Sequence, residues 1–210
     1  MSAPSAPSPR RRLPKEARLR QLLDVSWKLI RDEGTDALTL GRLAEEAGIS
    51  KPVVYDHFGT RNGLLAALYQ DFDVRQTAII DAAVEASKPT LKDKAGVIAS
   101  RYIDCVITQG REIPGVLAAL DGSPEIAAVK RQYQRVFIEK CQKIFAPFAS
   151  PGSVSLASLW AMLGAADALS NAAVVGEITE AQAREELLQT LLHMVKRSKD
   201  GAAASGKAHS

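Results

Sequence analysis

Several kinds of residue and pattern are scarce in this chain, and each scarcity excludes a class of function. There are two cysteines, Cys105 and Cys141, far apart within apolar, helix-like runs. That placement suits reduced core residues better than a disulfide or redox pair. The three histidines, His57, His193 and His209, have no neighbour at metal-ligand spacing, so no metal site is expected. Nowhere do about 18 apolar residues run without a charge, and residues 1–14 lack the apolar centre of a secretory leader. No membrane partner and a cytoplasmic location are therefore expected. Residues 70–197 contain no phosphate-binding glycine loop and no convergent nucleophile, base and acid. Neither an enzyme nor a cofactor is expected. Two-residue alternation bounded by hairpin turns is also missing, which argues against strands.

What is present is charge asymmetry and helical rhythm. Residues 1–69 hold 11 Lys and Arg against 8 Asp and Glu, whereas residues 70–210 hold 16 of each. The excess positive charge thus sits in the N-terminal third, as an anionic partner would require and as a solvated basic face would also produce. Lys15 to Glu33 carries Leu19, Leu22, Leu23, Trp27 and Ile30 at helical spacing and stops at Gly34. Thr39 is a candidate N-cap for Leu40 to Ala47, which Gly48 ends. A short helix follows, and a longer one runs from about Arg61 towards Lys88-Pro89. Further helices are expected over Thr90–Gln109, Pro114–Leu120, from Pro124 after a Ser123 cap to Phe148, and over Val154–Val175. Thr179-x-x-Gln182 has the capping-box pattern and opens a last helix. The expected fold is all-α with about nine helices, three of them in an N-terminal module. The expected division is a disordered basic arm at 1–14, a helix-turn-helix domain at 15–62, a larger domain at 63–197 and a disordered tail at 198–210.

The short helix in GISKPVVYDHFGTR, residues 48–61, is informative because a helix of about two turns is marginal by itself. At about 100° per residue, Val54 and Phe58 fall together as inward anchors, with Pro52, Val53 and Asp56 opposite and Tyr55 and His57 on the flanks. Such a helix suits a major groove, its exposed face meeting base edges and its flanking Tyr and His reaching phosphates. Lys51 projects from the first turn. Ser50 either caps the helix or bonds a phosphate at its dipole end. Arg61 offers a charge-assisted phosphate contact. Plain packing of a surface helix-turn-helix is the competing explanation.

The whole stretch from Thr39 to Tyr69, TLGRLAEEAGISKPVVYDHFGTRNGLLAALY, resembles the DNA-binding region of tetracycline-repressor (TetR) family regulators. The resemblance rests on Thr39, Leu43-Ala44, Gly48-Ile49-Ser50, Tyr55-x-His57-Phe58, Arg61 and Leu64-Leu65 at fixed spacing. It implies backbone contacts from Thr39, Ser50, Tyr55, His57 and Arg61, and groove contacts from Lys51 and Val53. Two positions depart from the family's pattern. Gly41 offers no side chain where some relatives read a base, and Asp56 puts a negative charge on the groove face, so that it either accepts from cytosine N4 or turns away from phosphates. Arg10, Arg11, Arg12 and Lys15 form a basic arm that either follows the minor groove or stays solvated.

In the C-terminal region Tyr102, Tyr133, Phe137, Trp160 and Asn171 are candidates for lining a ligand cavity, although at helical spacing such residues also build cores. Ala161, Gly164, Ala165, Ala168 and Leu169 make one apolar stripe, and Leu188, Leu191, Leu192 and Val195 another. Paired across a two-fold axis, the last two helices would form a four-helix homodimer interface. The resemblance implies a transcriptional regulator, in most such cases a repressor, that an unidentified small-molecule effector releases from a palindromic double-stranded DNA operator. The alternative is a helical binding module whose helix-turn-helix no longer binds DNA.

Overall fold

Glycine sets the first three helix ends, and the helices stop where positive φ is needed. The computed structural model describes residues 13–109, 112–122, 124–149 and 154–206, and among these the regular structure is helical. Helix α1 (Lys15–Glu33) buries Leu22, Trp27 and Ile30 and ends at Gly34, whose φ is 85°. A 3-10 turn at Thr35–Ala37 leads to α2 (Leu40–Ala47). Thr39 caps α2, accepting from the Arg42 backbone N–H at 3.0 Å. At the far end Gly48 adopts φ 65° and ψ 36°, and the N–H groups of Gly48 and Ile49 bond back to the carbonyls of Glu45 and Ala44. This Schellman closure turns the chain sharply into α3 (Lys51–Phe58). Helices α1 and α2 pack together, as do α2 and α3. An exposed ion network ties the first pair: Lys28 and Arg42 both meet Glu46, and Arg42 also meets Glu33. The hydrogen bond and charge of Lys28 hold the Glu46 carboxyl below its usual range.

The chain divides into two compact units, residues 1–64 and 65–210. Helix α4 (Arg61–Ala86) begins in the first and continues in the second. The second unit contains α5 (Leu91–Gln109), α6 (Glu112–Asp121), α7 (Pro124–Phe145), α8 (Leu156–Val174) and α9 (Glu180–Gly206). Helices α5, α8 and α9 pack on one another around Ile98, Ile103, Leu159, Met162, Leu187 and Leu191. Phe145 and Cys141 of α7 are buried in the same core. Lys94 donates to the carbonyls of Val84 at 2.5 Å and Ser87 at 3.2 Å, placing a cation at the negative end of α4. The capping box forms in both directions: Thr179 N–H donates to Gln182 Oε1 at 2.8 Å, and Gln182 N–H to Thr179 Oγ1 at 3.2 Å.

Several helix boundaries differ from expectation. Helix α6 starts at Glu112 rather than Pro114, because a proline in the first turn removes only an N–H that has no intrahelical partner. Helix α7 stops at Phe145, and a 3-10 turn containing Pro147 takes over at 146–148. The Ser123 cap lies outside the described residues. Helix α9 runs on to Gly206, where a disordered tail was expected from residue 198. Alanine-rich sequence extends a helix that is already nucleated at little cost. Residues 1–12 of the basic arm expected at 1–14, and the last four residues, lie outside the described residues.

Candidate functional site

In the first unit, Val54 and Phe58 are buried and anchor α3, while Lys51, Pro52, Tyr55 and Asp56 are exposed and Val53 and His57 half-buried. Tyr55 is 52% exposed, far more than an aromatic ring needs for packing. Val54 and Phe58 thus anchor the helix as their angles suggested, whereas Val53, opposite them by angle, is half-buried rather than fully exposed. Ser50 does not cap α3 through its side chain. Pro52 has no N–H to offer, and the Val53 N–H bonds the Ser50 carbonyl at 3.1 Å, so the exposed hydroxyl stays outside the helix's own hydrogen bonding.

Lys51 reaches back towards α2. A Cβ built on Gly41 would lie 3.7 Å from Lys51 Cε, 3.8 Å from Nζ and 3.9 Å from Thr39 Oγ1. The missing side chain at position 41 is thus the space along which Lys51 extends. Asp56, which looked out of place in the sequence, shares a surface groove with Lys15, Arg18, Val53 and His57. Arg61 has a different environment from the one its charge suggested. Its Nε donates to the Leu38 carbonyl and its Nη2 to the Thr35 carbonyl, both at 2.8 Å. The guanidinium clasps the turn that precedes α2, and Thr39 sits at the end of that turn.

The second unit holds a recess that is partly open to solvent. Of the candidate cavity residues, Tyr102, Tyr133 and Phe137 line it. Trp160 does not; it packs half-buried against the α5–α8–α9 core. Asn171 lines an adjoining hollow with Asp167 and Lys130. Sequence reasoning missed Asp73 and Asp167, both on the wall. The available signal was Asp167 itself, the only charged residue between Val154 and Val175. The Tyr102 hydroxyl donates to Asp167 at 2.7 Å, and burial, reinforced by that carboxylate, pushes the phenol well above its ordinary value. Tyr69 and Tyr133 meet edge to face with centroids 5.6 Å apart. Cys105, also on the wall, is pushed up to about 12 by burial and the nearby Asp73 charge.

Residues 22–68 match the family of bacterial regulatory proteins described as the tetR family. The match to this family's model lies wholly within the α1–α4 segment of the chain. Over 59 residues it is 39% identical to the HTH-type transcriptional activator FasR of Mycolicibacterium smegmatis, an alignment covering 28% of this chain and 27% of that one. Over 54 residues it is 37% identical to the HTH-type transcriptional regulator BetI of Cronobacter sakazakii, covering 26% and 27%. The chain thus spans about a quarter of the length of these curated relatives. A solved TetR-family transcriptional regulator from Streptomyces coelicolor superposes with a TM-score of 0.67 at 15% identity, covering 87% of this chain and 97% of that one, which shows a common fold.

The residues matched to the family model include all of α3 and its exposed face. On α8 the stripe residues Ala161, Gly164 and Ala168 are exposed and Ala165 and Leu169 half-buried. On α9, Leu191 and Val195 instead face their own core, and Leu188 and Leu192 are half-buried. The α9 part of the expected dimer stripe is therefore narrower than its spacing suggested, because α9 packs against both α5 and α8. No described helix is long and apolar enough to cross a membrane, and no metal-ligating cluster occurs among the described residues.

Proposed function

We propose that this chain is an effector-responsive transcriptional regulator: residues 15–62 read an operator, and residues 63–197 bind a small molecule and self-associate through α8 and α9. The observation that carries the reading is the face of α3 left accessible, where exposed Lys51 and Tyr55 and half-buried Val53 and His57 stand on a helix anchored by Val54 and Phe58. Lys51 donates to guanine O6 or N7, Val53 meets a thymine methyl, and Thr39, Ser50, Tyr55 and His57 bond phosphates. Arg61 acts as a positioning residue for Thr39, and Lys15 and Arg18 keep Asp56 from repelling the backbone. Two copies are needed because a palindrome presents two half-sites, one to each α3.

Tyr69, Phe72 and Asp73, on the wall of the recess, lie on the same helix that starts at Arg61 in the head. A ligand that shifts α4 alters operator affinity only as far as it prefers one state over the other. Release of the operator makes the protein a repressor. The test is selection of random duplexes by the wild-type chain beside a Tyr55→Phe, His57→Ala variant. A palindromic consensus enriched only by the wild type supports the proposal. No enrichment by a protein that remains dimeric refutes it and favours a binding module without DNA.

A further inference from the structure

We infer that the recess of the second unit takes an organic cation with a bulky aromatic or apolar body, its positive charge meeting Asp73; the inference rests on the reading of that recess as the effector site. The charged residues on the wall are Asp73, Asp167 and Lys130, two carboxylates to one ammonium. Asp167 is engaged by the Tyr102 hydroxyl. Asp73 differs. It is half-buried on α4, and no described residue gives it a hydrogen bond or ion pair. Lys140, the cation whose field it feels, has its ammonium 2.6 Å from Asp81. A carboxylate withdrawn from water without a partner is unfavourable, and a cation arriving in the recess removes that penalty.

The surroundings select the rest of the ligand. Phe72 adjoins Asp73 on α4, and the Tyr69–Tyr133 pair lines the same recess, so aromatic faces are available to a delocalised or substituted cation. Ile80, Leu117 and Leu163 add apolar wall for the ligand's body, and the other polar lining, Gln76, Thr77 and Gln134, is uncharged. An anion of the same shape meets excess negative charge, and a neutral body buries Asp73 further without pairing it. Discrimination therefore comes from repulsion as much as attraction.

Tetraphenylphosphonium and tetraphenylborate, alike in shape and opposite in charge, test this by calorimetric titration of the full chain. The phosphonium is expected to bind at least tenfold more tightly. Asp73→Asn should lower its affinity by tenfold or more, and Asp73→Glu should keep the preference. Borate binding as tight as phosphonium overturns the inference, as does unchanged phosphonium affinity in an Asp73→Asn protein with wild-type circular dichroism. Retention of a selected duplex separates this from the regulatory reading. Phosphonium that binds through Asp73 without releasing DNA supports the cation site and overturns the regulator; release by borate alone does the reverse.

Discussion

Replacing Arg61 by glutamine separates two roles that the same charge could play. In the structure its guanidinium makes two charge-assisted bonds of 2.8 Å, to Leu38 and Thr35 carbonyls. A hydrogen bond involving a charged group contributes about 1.5–3 kcal/mol. The Thr35 carbonyl keeps a second donor, the Leu38 N–H at 3.2 Å, and the site is only partly buried. A loss of about 2 kcal/mol is therefore expected, lowering Tm by about 4–8 °C in a chain of this size. Arg61→Lys should fare nearly as badly, because an ammonium lacks the fork that spans two carbonyls. The deciding measurement is DNA affinity against salt. If Arg61 neutralised a phosphate, its removal would reduce the slope of log K against log salt by about 0.9. The clasp predicts weaker binding with an unchanged slope. An unaltered Tm with a slope reduced by about one unit would refute it and restore Arg61 to the phosphates.

Gly63→Ala should be costly, since its Cβ would lie 2.0 Å from the Phe58 carbonyl oxygen; a stability loss of at least about 2 kcal/mol with loss of duplex retention is expected from thermal melts and filter binding. Burial raises the Asp73 carboxyl above its ordinary value, partly opposed by Lys140. The folded state thus holds that proton more tightly than the unfolded chain, a stabilisation present below pH 3.8 and lost as pH rises through the raised value. Asp73→Asn should therefore gain Tm relative to wild type as pH increases through the acid range. With both thiols pushed to about 12 by burial, Cys105 and Cys141 should resist iodoacetamide at pH 8 until the chain is denatured. Rapid native labelling would contradict that burial.

Local chemistry was readable in the sequence, and distant pairing was not. Gly34, Gly48 and Gly59 mark helix ends because each takes positive φ, and Thr179 and Gln182 announce their box because both partners lie within one turn. Val54 and Phe58 were identifiable as anchors from angle alone. Arg61 was not legible as a clasp, since its acceptors are 23 and 26 residues away and become neighbours only when the head folds. Asp73 was passed over for the same reason: its meaning depends on Tyr69 of its own helix and on Tyr133 and Asp167 from two others. Leu191 and Val195 read as interface residues because spacing reports a face, not which neighbour covers it.

The Lys51 side chain lying along the vacancy at Gly41 makes those two positions a single unit of sequence choice. A Cβ introduced at 41 would sit in ordinary contact with the lysine, and a longer side chain there would share its space, so the optimum at one site depends on the occupant of the other. Substitutions there should be non-additive in a double-mutant cycle. Retargeting this head to a new operator would accordingly require libraries that vary 41 and 51 together, because stepwise exchange passes through an intermediate in which the two side chains compete for one space.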